Sequence, residues 1–463
     1  MTRLTKSSSV SLPTKLEEAE GDEAICEKWR VHYKTLFEGS RCLATLQNHL
    51  STSHSLITAE HVADACHSLS RNKARGPDSL CLENILFCDG TVYTHLAHLF
   101  NQMLRLGHIP EELLEVVIKP IVKRKGLDNT KIKSYRPIAL ATALSKVLEK
   151  VLLFLTWDSL KTTSNQMGYK AGVGSEMAIF TLKSVITNAK NSRLPTYVCY
   201  LDASAAFDKV SHDILIRKLV EAGVPADITN LLIFWFDHQH FRVRWNTALS
   251  TPFSVRRGVR QGGVLSSYCF AFYLDALSHN LTATAMGCLV SGQLINHITY
   301  ADDICLLASS IHALNALLRI CKSFADSHDL EFNPDKTMLQ CFLPPKMSHL
   351  LQEVTVRFCH VLLRHTRVVK YLGCLIEAKF IRSDIVVSND QEFEKRCGDI
   401  YKRAYMIKSW FKKCSVAIKT LLFKTYLSNV YCSSLWDLTV VQLNKFKAVY
   451  NDAIRIIGIM IRI

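Results

Sequence analysis

The sequence lacks the features that mark membrane-spanning, secreted and zinc-binding proteins. It has no apolar run of the roughly 20 residues that cross a bilayer, and its first residues, MTRLTKSSSV, lack the apolar core of a secretory signal. None of its 16 cysteines forms a C-x-x-C pair, which argues against a zinc knuckle and a small disulfide framework. Cys199, Cys269, Cys305 and Cys374 lie within apolar runs and are expected to be reduced core residues. These observations predict a soluble, intracellular protein without a membrane partner.

Positive charge is what the sequence has in excess. The formal net charge is +15 and the pI is about 9.1. The electrostatic field of such a positive charge favours binding to a polyanion, and nucleic acid is the commonest polyanion inside a cell. The excess is uneven, because residues 361–463 carry 18 Lys and Arg against 8 Asp and Glu. A solvated charged surface is the alternative, but we expect a surface there that faces phosphates.

Hydrophobic spacing predicts an α+β protein, because short apolar strands alternate with amphipathic helices. We find no internal repeat. The predicted helices lie near residues 29–37, 58–69, 145–155, 211–223, 262–277 and 314–324, and the pattern is wholly helical from about residue 391. The predicted strands lie at residues 116–122, 136–140 and 197–201 and on both sides of residues 302–303.

Three aspartates lie at the ends of apolar strands. Asp202 ends the continuous apolar run that starts at Tyr197, and Asp302 and Asp303 lie between two further apolar runs. Ionised carboxylates in such places are costly unless something neutralises them. An all-oxygen cluster suits Mg²⁺, and two such ions can stabilise the attacking and leaving oxygens of a phosphoryl transfer. The alternative for a lone Asp-Asp pair is an ordinary hairpin turn.

The motifs around these aspartates resemble those of reverse transcriptases. Tyr300-Ala301-Asp302-Asp303 resembles the Y-x-D-D signature, and Leu201-Asp202-Ala203-Ser204-Ala205-Ala206-Phe207-Asp208 resembles the first palm motif of the non-LTR (LINE-type) retrotransposon branch. Further motifs follow in the family's order between about Asn72 and Ile376: Arg75-Gly76-Pro77-Asp78, Lys119-Pro120-Ile121-Val122-Lys123, Tyr135-Arg136-Pro137-Ile138, Arg260-Gln261-Gly262-Gly263-Val264-Leu265-Ser266, Phe332-Asn333-Pro334-Asp335-Lys336-Thr337 and Tyr371-Leu372-Gly373.

The resemblance implies a right-hand polymerase with fingers, an antiparallel palm sheet and a helical thumb. Residues 1–70 would form an N-terminal helical extension, residues 71–376 the fingers and palm, and residues 377–463 a basic thumb-like region. The implied reaction is nucleotidyl transfer from a dNTP to a DNA primer on an RNA template. The implied cofactor is a pair of Mg²⁺ ions, for which Mn²⁺ can substitute.

The resemblance also assigns the metal ligands and the groups near the transferred phosphates. Asp202 and Asp302 would bind both ions, Asp303 would contribute more weakly, and the Ala203 carbonyl would be a further ligand. Lys336 would protonate the leaving pyrophosphate, with Asn333 bracing its loop. A solvent-exposed lysine without a function is the alternative for Lys336.

The remaining implied roles concern the incoming nucleotide and the primer. Phe207 would exclude a ribose 2′-OH, the alternative being a core aromatic. Lys123 and Arg136 would hold the triphosphate, although Lys119, Arg124 and Lys125 compete for the role of Lys123. Gln261 and Gly262 would pack under the nascent base pair, and the Tyr371-Leu372-Gly373 turn would position the primer 3′-OH. Gly263 and Ser267 depart from the usual family pattern, so efficiency or fidelity is expected to suffer.

Two other interpretations stay open. One is an RNA-dependent RNA polymerase or a maturase-like enzyme, against which Phe207 argues. The other is a truncated or domesticated relative that binds nucleic acid without catalysis. Neither an endonuclease module, an RNase H module nor a cysteine-rich tail is evident, so the nicking nuclease is expected to come from elsewhere. An integrating enzyme would act in the nucleus, but Lys123-Arg124-Lys125 is too short to count as an import signal.

Overall fold

The computed structural model describes residues 12–39, 55–123, 126–381 and 384–459. The helices are α1 (Asp22–Leu36), α2 (Ala59–Ser68), α3 (Leu82–Leu86), α4 (Thr91–Leu106), α5 (Glu111–Leu114), α6 (Ala143–Thr156), α7 (Ser175–Asn191), α8 (His212–Glu221), α9 (Ala226–His238), α10 (Val264–Thr282), α11 (Ile311–Ser327), α12 (Asp390–Trp410), α13 (Val416–Tyr426) and α14 (Val440–Ile457). Short 3₁₀ helices lie at Ile132–Ser134, Ala206–Lys209, Pro345–Gln352 and Ser433–Leu435.

The strands are β1 (Lys15–Leu16), β2 (Ala19–Glu20), β3 (Glu115–Val122), β4 (Tyr135–Ala141), β5 (Thr196–Asp202), β6 (His240–Trp245), β7 (Ala248–Leu249), β8 (Phe253–Ser254), β9 (Cys288–Val290), β10 (Gln293–Ile295), β11 (His297–Tyr300), β12 (Asp303–Ala308), β13 (Met338–Phe342), β14 (Thr355–Phe358), β15 (Val361–Arg364), β16 (Val368–Tyr371), β17 (Cys374–Ile381) and β18 (Asp384–Ser388). Helices and strands alternate along most of the chain, which confirms the predicted α+β class.

The chain forms two compact units, each made of several segments. The first unit contains the residues up to Thr163, Ala203–Leu277 and Ser323–Glu331. The second unit contains Ser164–Asp202, Ser278–Lys322 and the residues from Phe332 onward. The division into three consecutive regions stays a prediction.

The first unit is built on a five-stranded sheet covered by α1. The strand order is β4-β3-β6-β7, with β8 also pairing with β6. β3 pairs antiparallel with β4 and parallel with β6. Trp29, Tyr33 and Phe37 of the first predicted helix are buried against Phe241 and Trp245 of the sheet region. This packing confirms the helix predicted from their four-residue spacing.

The second unit contains a four-stranded antiparallel sheet in the order β11-β12-β5-β13. The residues of β5 before Asp202 are all buried, as expected for an apolar run without alternation. A separate three-stranded antiparallel sheet has the order β16-β17-β18. Its first hairpin pairs Tyr371 with Cys374, so Leu372 and Gly373 form the turn.

The last three helices, α12, α13 and α14, share one hydrophobic core. The apolar stripe of α12 is buried at Phe393, Cys397, Ile400, Ala404 and Ile407, and Tyr401 is partly buried against it. In the described ranges no helix is both long enough and apolar enough to cross a membrane. The four cysteines expected in the core, Cys199, Cys269, Cys305 and Cys374, are buried and unbridged.

Candidate active site

The pairing of three neighbouring strands brings the predicted carboxylates to one end of the antiparallel sheet. Asp202, the last residue of β5, lies directly opposite Asp303, the first residue of β12. Directly opposed residues in a β-ladder project from the same face. Tyr300 of β11 pairs with Asp303, so Ala301 and Asp302 form a two-residue turn. Asp302 therefore lies at the tip of the hairpin whose second strand begins with Asp303.

The carboxylates influence one another electrostatically. The pKa of Asp303 is raised to about 6, first by desolvation from the surrounding protein atoms and then by the negative charges of Asp302 and Asp202. The Asp303 side chain nevertheless retains solvent exposure. A site that opposes the ionisation of one carboxyl in this way is stabilised by an added positive charge.

Lys336 supplies one such charge. Its Nζ lies 3.1 Å from Asp202 Oδ2. The turn that carries it is fixed by Asn333, because Asn333 Oδ1 accepts hydrogen bonds from Asp335 N at 3.1 Å and Lys336 N at 3.3 Å. Asn333 N in turn donates to the Asp202 carbonyl at 2.8 Å. One hydrogen-bond network, which includes the Asn333 side chain, thus joins the turn of Lys336 to the strand end at Asp202.

The donor chemistry of this end of the sheet fits Mg²⁺ better than a softer ion. The three side chains supply only carboxylate oxygens, and Mg²⁺ is commonly held by one or two carboxylates together with waters and substrate phosphates. Within the described residues no three His, Cys, Asp or Glu side chains are grouped closely enough to hold an ion by themselves. The donors that Asp202, Asp302 and Asp303 offer at this end of the sheet are thus all carboxylate oxygens.

A segment that the sequence analysis did not single out supports the Asp302 turn. Gln166 is fully buried, and its Oε1 accepts hydrogen bonds from Gly168 N at 3.0 Å and Ala301 N at 3.2 Å. Met167 N donates to the Thr299 carbonyl at 2.8 Å. A Cβ at Gly168 would lie 2.5 Å from Ala301 N, so only glycine fits here without a shift. No local spacing pattern in the sequence signals these contacts.

The first unit holds the residues predicted to pack under a base pair. The carbonyl of Gln261 accepts a hydrogen bond from Ala139 N of β4 at 2.9 Å. Gly262 has a φ of 118°, and a Cβ there would lie 3.0 Å from the Ala139 carbonyl. This close approach and the positive φ explain the glycine. The loop is therefore fastened to β4, which also carries Arg136.

A buried carboxyl orients the Gln261 side chain. Gln261 Nε2 lies 2.8 Å from Asp208 Oδ1 and 3.0 Å from Oδ2. Burial raises the pKa of Asp208 to about 7, against the lowering effects of the Gln261 hydrogen bond and the charge of Lys123. Asp208 ends the motif that starts at Leu201, but the sequence suggests no role for it because sequence does not show which carboxyl is buried.

A second buried pair fixes the other side of the Gln261 loop. Glu149 Oε2 accepts hydrogen bonds from Val264 N at 2.5 Å and Leu265 N at 3.0 Å, so it caps the start of α10. Arg260 lies 3.4 Å from Glu149 and stacks on Trp235 with its guanidinium carbon 4.9 Å from the ring centroid. A Cβ at position 263 would lie 2.5 Å from Ser266 Oγ and 3.0 Å from Glu149 Oε2. Gly263, which departs from the family pattern, therefore leaves room for the Glu149 side chain of α6 that caps α10.

The remaining predicted nucleotide contacts also lie in the first unit. The half-buried Phe207 ring stacks on Phe270 with a centroid distance of 4.3 Å. Arg136 is exposed on β4 opposite Ile121. Lys123 Nζ donates to the Lys133 carbonyl at 2.9 Å. Arg124 and Lys125, which compete for its role, lie outside the described residues. The role of Phe207 in excluding a 2′-OH stays a prediction, as does that of Lys123 and Arg136 in holding the triphosphate.

Comparison with known proteins decides the family. A family model described as "Reverse transcriptase (RNA-dependent DNA polymerase)" matches residues 121–376, more than half of the chain. The chain belongs to the reverse transcriptase family. The matched region contains every residue predicted for the site, from Lys123 to Lys336.

Several curated relatives of this chain come from mobile elements of insects. It is 26% identical over 337 residues to "Probable RNA-directed DNA polymerase from transposon BS" of Drosophila melanogaster, covering 70% of the chain and 36% of the relative. It is 25% identical to "RNA-directed DNA polymerase from mobile element jockey" of Drosophila funebris, covering 73% and 37%. It is 27% identical to the "Retrovirus-related Pol polyprotein from type-1 retrotransposable element R2" of Popillia japonica, covering 57% and 37%. The chain thus spans less than half the length of these relatives.

Proposed function

We propose that this chain is an RNA-directed DNA polymerase of a non-LTR retrotransposon. It would add deoxynucleotides to the 3′-OH of a DNA primer on an RNA template. The observation that carries the proposal is the strand register that sets Asp202 opposite Asp303 with Asp302 in the adjoining turn. Family membership and the mobile-element names of the relatives support it.

In this proposal the first unit contains the fingers, the antiparallel sheet β11-β12-β5-β13 belongs to the palm, and α12 to α14 form the thumb. Along the sequence, residues 1–70 would form an N-terminal extension, residues 71–376 the fingers and palm, and residues 377–463 the thumb. The net positive charge of the last region suits contacts with the phosphates of a duplex. Binding through phosphates is salt-sensitive and largely independent of sequence.

The carboxylates and Lys336 would carry the chemical step. Asp202 and Asp302 would hold two Mg²⁺ ions, with Asp303 and the Ala203 carbonyl contributing; Mn²⁺ would substitute. When bound, the ions supply charge stabilisation for the attacking and leaving oxygens. In this step the primer 3′-OH would lose its proton to solvent water while its oxygen forms a bond to the α-phosphorus. The bond from that phosphorus to the oxygen that joins it to the β-phosphorus would break, and pyrophosphate would leave. Lys336 would give a proton to the departing pyrophosphate, take up another from water, and then be able to pair with Asp202 again.

The residues of the first unit would select and hold the nucleotide. Arg136 and Lys123 would contact the triphosphate, the guanidinium through paired hydrogen bonds and the ammonium as a point charge. Gln261 and Gly262 would lie under the nascent base pair. Phe207 would exclude a 2′-OH, because its stacking on Phe270 restricts how far the ring can move aside.

Primer extension on an RNA template tests the proposal. The chain is incubated with a labelled DNA primer, Mg²⁺ and either dNTPs or NTPs, with a chelator control. We expect Mg²⁺-dependent extension that strongly prefers dNTPs and is lost in Asp302→Ala. A preference for NTPs would instead support an RNA polymerase. Absent extension with salt-dependent RNA binding retained would support a non-catalytic nucleic-acid-binding protein.

A further inference from the structure

The β16–β17 turn, which the family resemblance relates to primer positioning, has both of its carbonyls bound by the C-terminal helical region. Tyr431 Oη donates to the Leu372 carbonyl at 2.7 Å. Arg396 Nη2 donates to the Gly373 carbonyl at 2.9 Å. Turn carbonyls at a protein surface ordinarily bond to water, so two side-chain donors on adjacent carbonyls restrain the turn in addition to its own ladder.

The direction of the Tyr431 hydrogen bond follows from its partners. Tyr431 Oη lies 2.6 Å from Ser175 Oγ at the start of α7. The Leu372 carbonyl can only accept, so the single phenolic proton goes to it and Ser175 must donate to Tyr431. Next along the chain, Cys432 N donates to Glu176 Oε1 at 2.9 Å. The segment around Tyr431 is therefore held to the first turn of α7.

Arg396 is oriented by contacts on two sides. Its Nε lies 2.5 Å from Glu392 Oε1, and Glu392 is buried and accepts a hydrogen bond from Leu375 N of β17 at 2.8 Å. The guanidinium carbon lies 5.3 Å from the Tyr431 ring centroid, within the range of a cation–π contact. Arg396 and Tyr431 thus form one assembly around the turn.

The other end of the hairpin is fastened to the carboxylate-bearing sheet. Gln340 of β13 is fully buried, and its Nε2 donates to the carbonyls of Arg367 at 3.1 Å and Ile376 at 3.0 Å. Its Oε1 accepts from Tyr200 Oη of β5 at 2.9 Å. The hairpin is consequently fixed at its base to the sheet that ends in Asp202 and at its turn to α12 and the segment after α13.

We propose that Tyr431 and Arg396 are positioning residues that hold the Leu372-Gly373 turn where it sets the primer 3′-OH for attack. The inference rests on the proposed polymerase function. Misplacing a reacting oxygen by about 1 Å can cost on the order of a hundredfold in rate, whereas binding of the long duplex would hardly change. Loss of these two side chains should therefore lower the rate of nucleotide addition and leave the affinity for primer–template unchanged.

Single-turnover addition of one dNTP by the full chain on preformed primer–template tests the proposal. Tyr431→Phe removes the donor to Leu372 and keeps the ring. Tyr450→Phe is the matched control, because Tyr450 Oη lies in the same helical region and donates to the carbonyls of Leu427 at 2.8 Å and Ser428 at 3.2 Å rather than to the turn. We expect Tyr431→Phe to lower the maximal rate about tenfold, with primer–template Kd and the half-saturating dNTP concentration within twofold of wild type. Tyr450→Phe should keep the wild-type rate.

Equal rates for Tyr431→Phe and wild type, or an equal loss in Tyr450→Phe, would overturn the proposal. A wild-type chain that does not extend primers would contradict the proposed function itself. In that case amide hydrogen exchange tests separately whether Tyr431 holds the turn in place. Amide exchange in residues 370–376 should be at least tenfold faster in Tyr431→Phe than in wild type and unchanged in Tyr450→Phe. Unchanged exchange in both variants would refute the positioning of the turn, whether or not the chain polymerises.

Discussion

The side-chain carbonyl of Gln166 accepts a hydrogen bond of 3.2 Å from the backbone amide of Ala301, the residue that directly precedes Asp302. Ala301 has a φ of 55°, which is uncommon for a residue with a side chain. An external contact that holds this conformation also fixes the direction in which Asp302 projects. The proposed metal site therefore depends on a segment more than 130 residues earlier in the chain.

Gly168→Ala is expected to disturb the Asp302 turn directly. The added Cβ would lie 2.5 Å from Ala301 N, which is closer than real contacts allow, so the turn must shift. We predict a loss of primer extension of at least about tenfold with a fall of about 1–3 kcal/mol in the free energy of unfolding. Extension assays and denaturant unfolding measure the two effects.

Gly398→Ala is the matched control for that substitution. Gly398 lies within α12 with open space around its Cβ position, so alanine should stabilise the helix by about 0.5–1 kcal/mol and leave extension unchanged. If Gly168→Ala extends primers as fast as Gly398→Ala does, the proposed support of the turn is wrong.

The strands that carry the aspartates could be predicted because their signal is local. The run before Asp202 is apolar without alternation, and a buried strand is the physical outcome. The helices with Trp29 and Phe393 were predicted for the same reason, since their apolar residues repeat at helical spacing. The roles of Asp202, Asp302, Lys336 and Phe207 came from resemblance, and the geometry alone does not assign them.

The contacts that orient the site residues could not be predicted. Gln166 and Ala301 are 135 positions apart, and Asp208 and Gln261 are 53 apart. Nothing in local spacing states which polar side chains meet across such separations. Two-residue strands such as β7 and β8 are equally invisible, because they are too short for any periodicity.

Asp208 is expected to give the protein a distinctive pH dependence. Its pKa is raised to about 7 in the folded state by burial, against an ordinary value of 3.8. A raised folded-state pKa stabilises the protein below the unfolded-state value, and that stability is lost as the pH rises towards the folded-state value. The free energy of unfolding of the wild type minus that of Asp208→Asn should therefore fall between about pH 4 and pH 7, by at most about 1.4 kcal/mol per pH unit.

Denaturant unfolding of both proteins across that pH range measures the difference. Subtracting the variant removes the contributions of other titrating groups that the two proteins share. A difference that stays constant from pH 4 to pH 7, or that rises, would mean that Asp208 is ionised in the folded state throughout.

Phe207→Ala is expected to weaken discrimination against ribonucleotides. Removing the ring opens the space that a 2′-OH would need, so the ratio of kcat/KM for dNTP to that for NTP should fall at least about tenfold. Phe207→Tyr keeps a ring of similar size and should retain the ratio within a few-fold. Steady-state single-nucleotide incorporation measures it. An unchanged ratio in Phe207→Ala would indicate that the ring acts only as packing against Phe270.

We propose that Asp202 and Asp302 carry the chemistry without being needed for the fold. The most direct measurement is Mg²⁺-dependent primer extension by Asp202→Asn and Asp302→Asn, alongside wild type and the surface control Asp158→Asn, with unfolding curves for all four. We expect a loss of at least about a thousandfold in both site variants, unfolding free energies within about 1 kcal/mol of wild type, and full activity in the exposed control. Extension at the wild-type rate by either site variant would show that its carboxylate does not carry the chemistry.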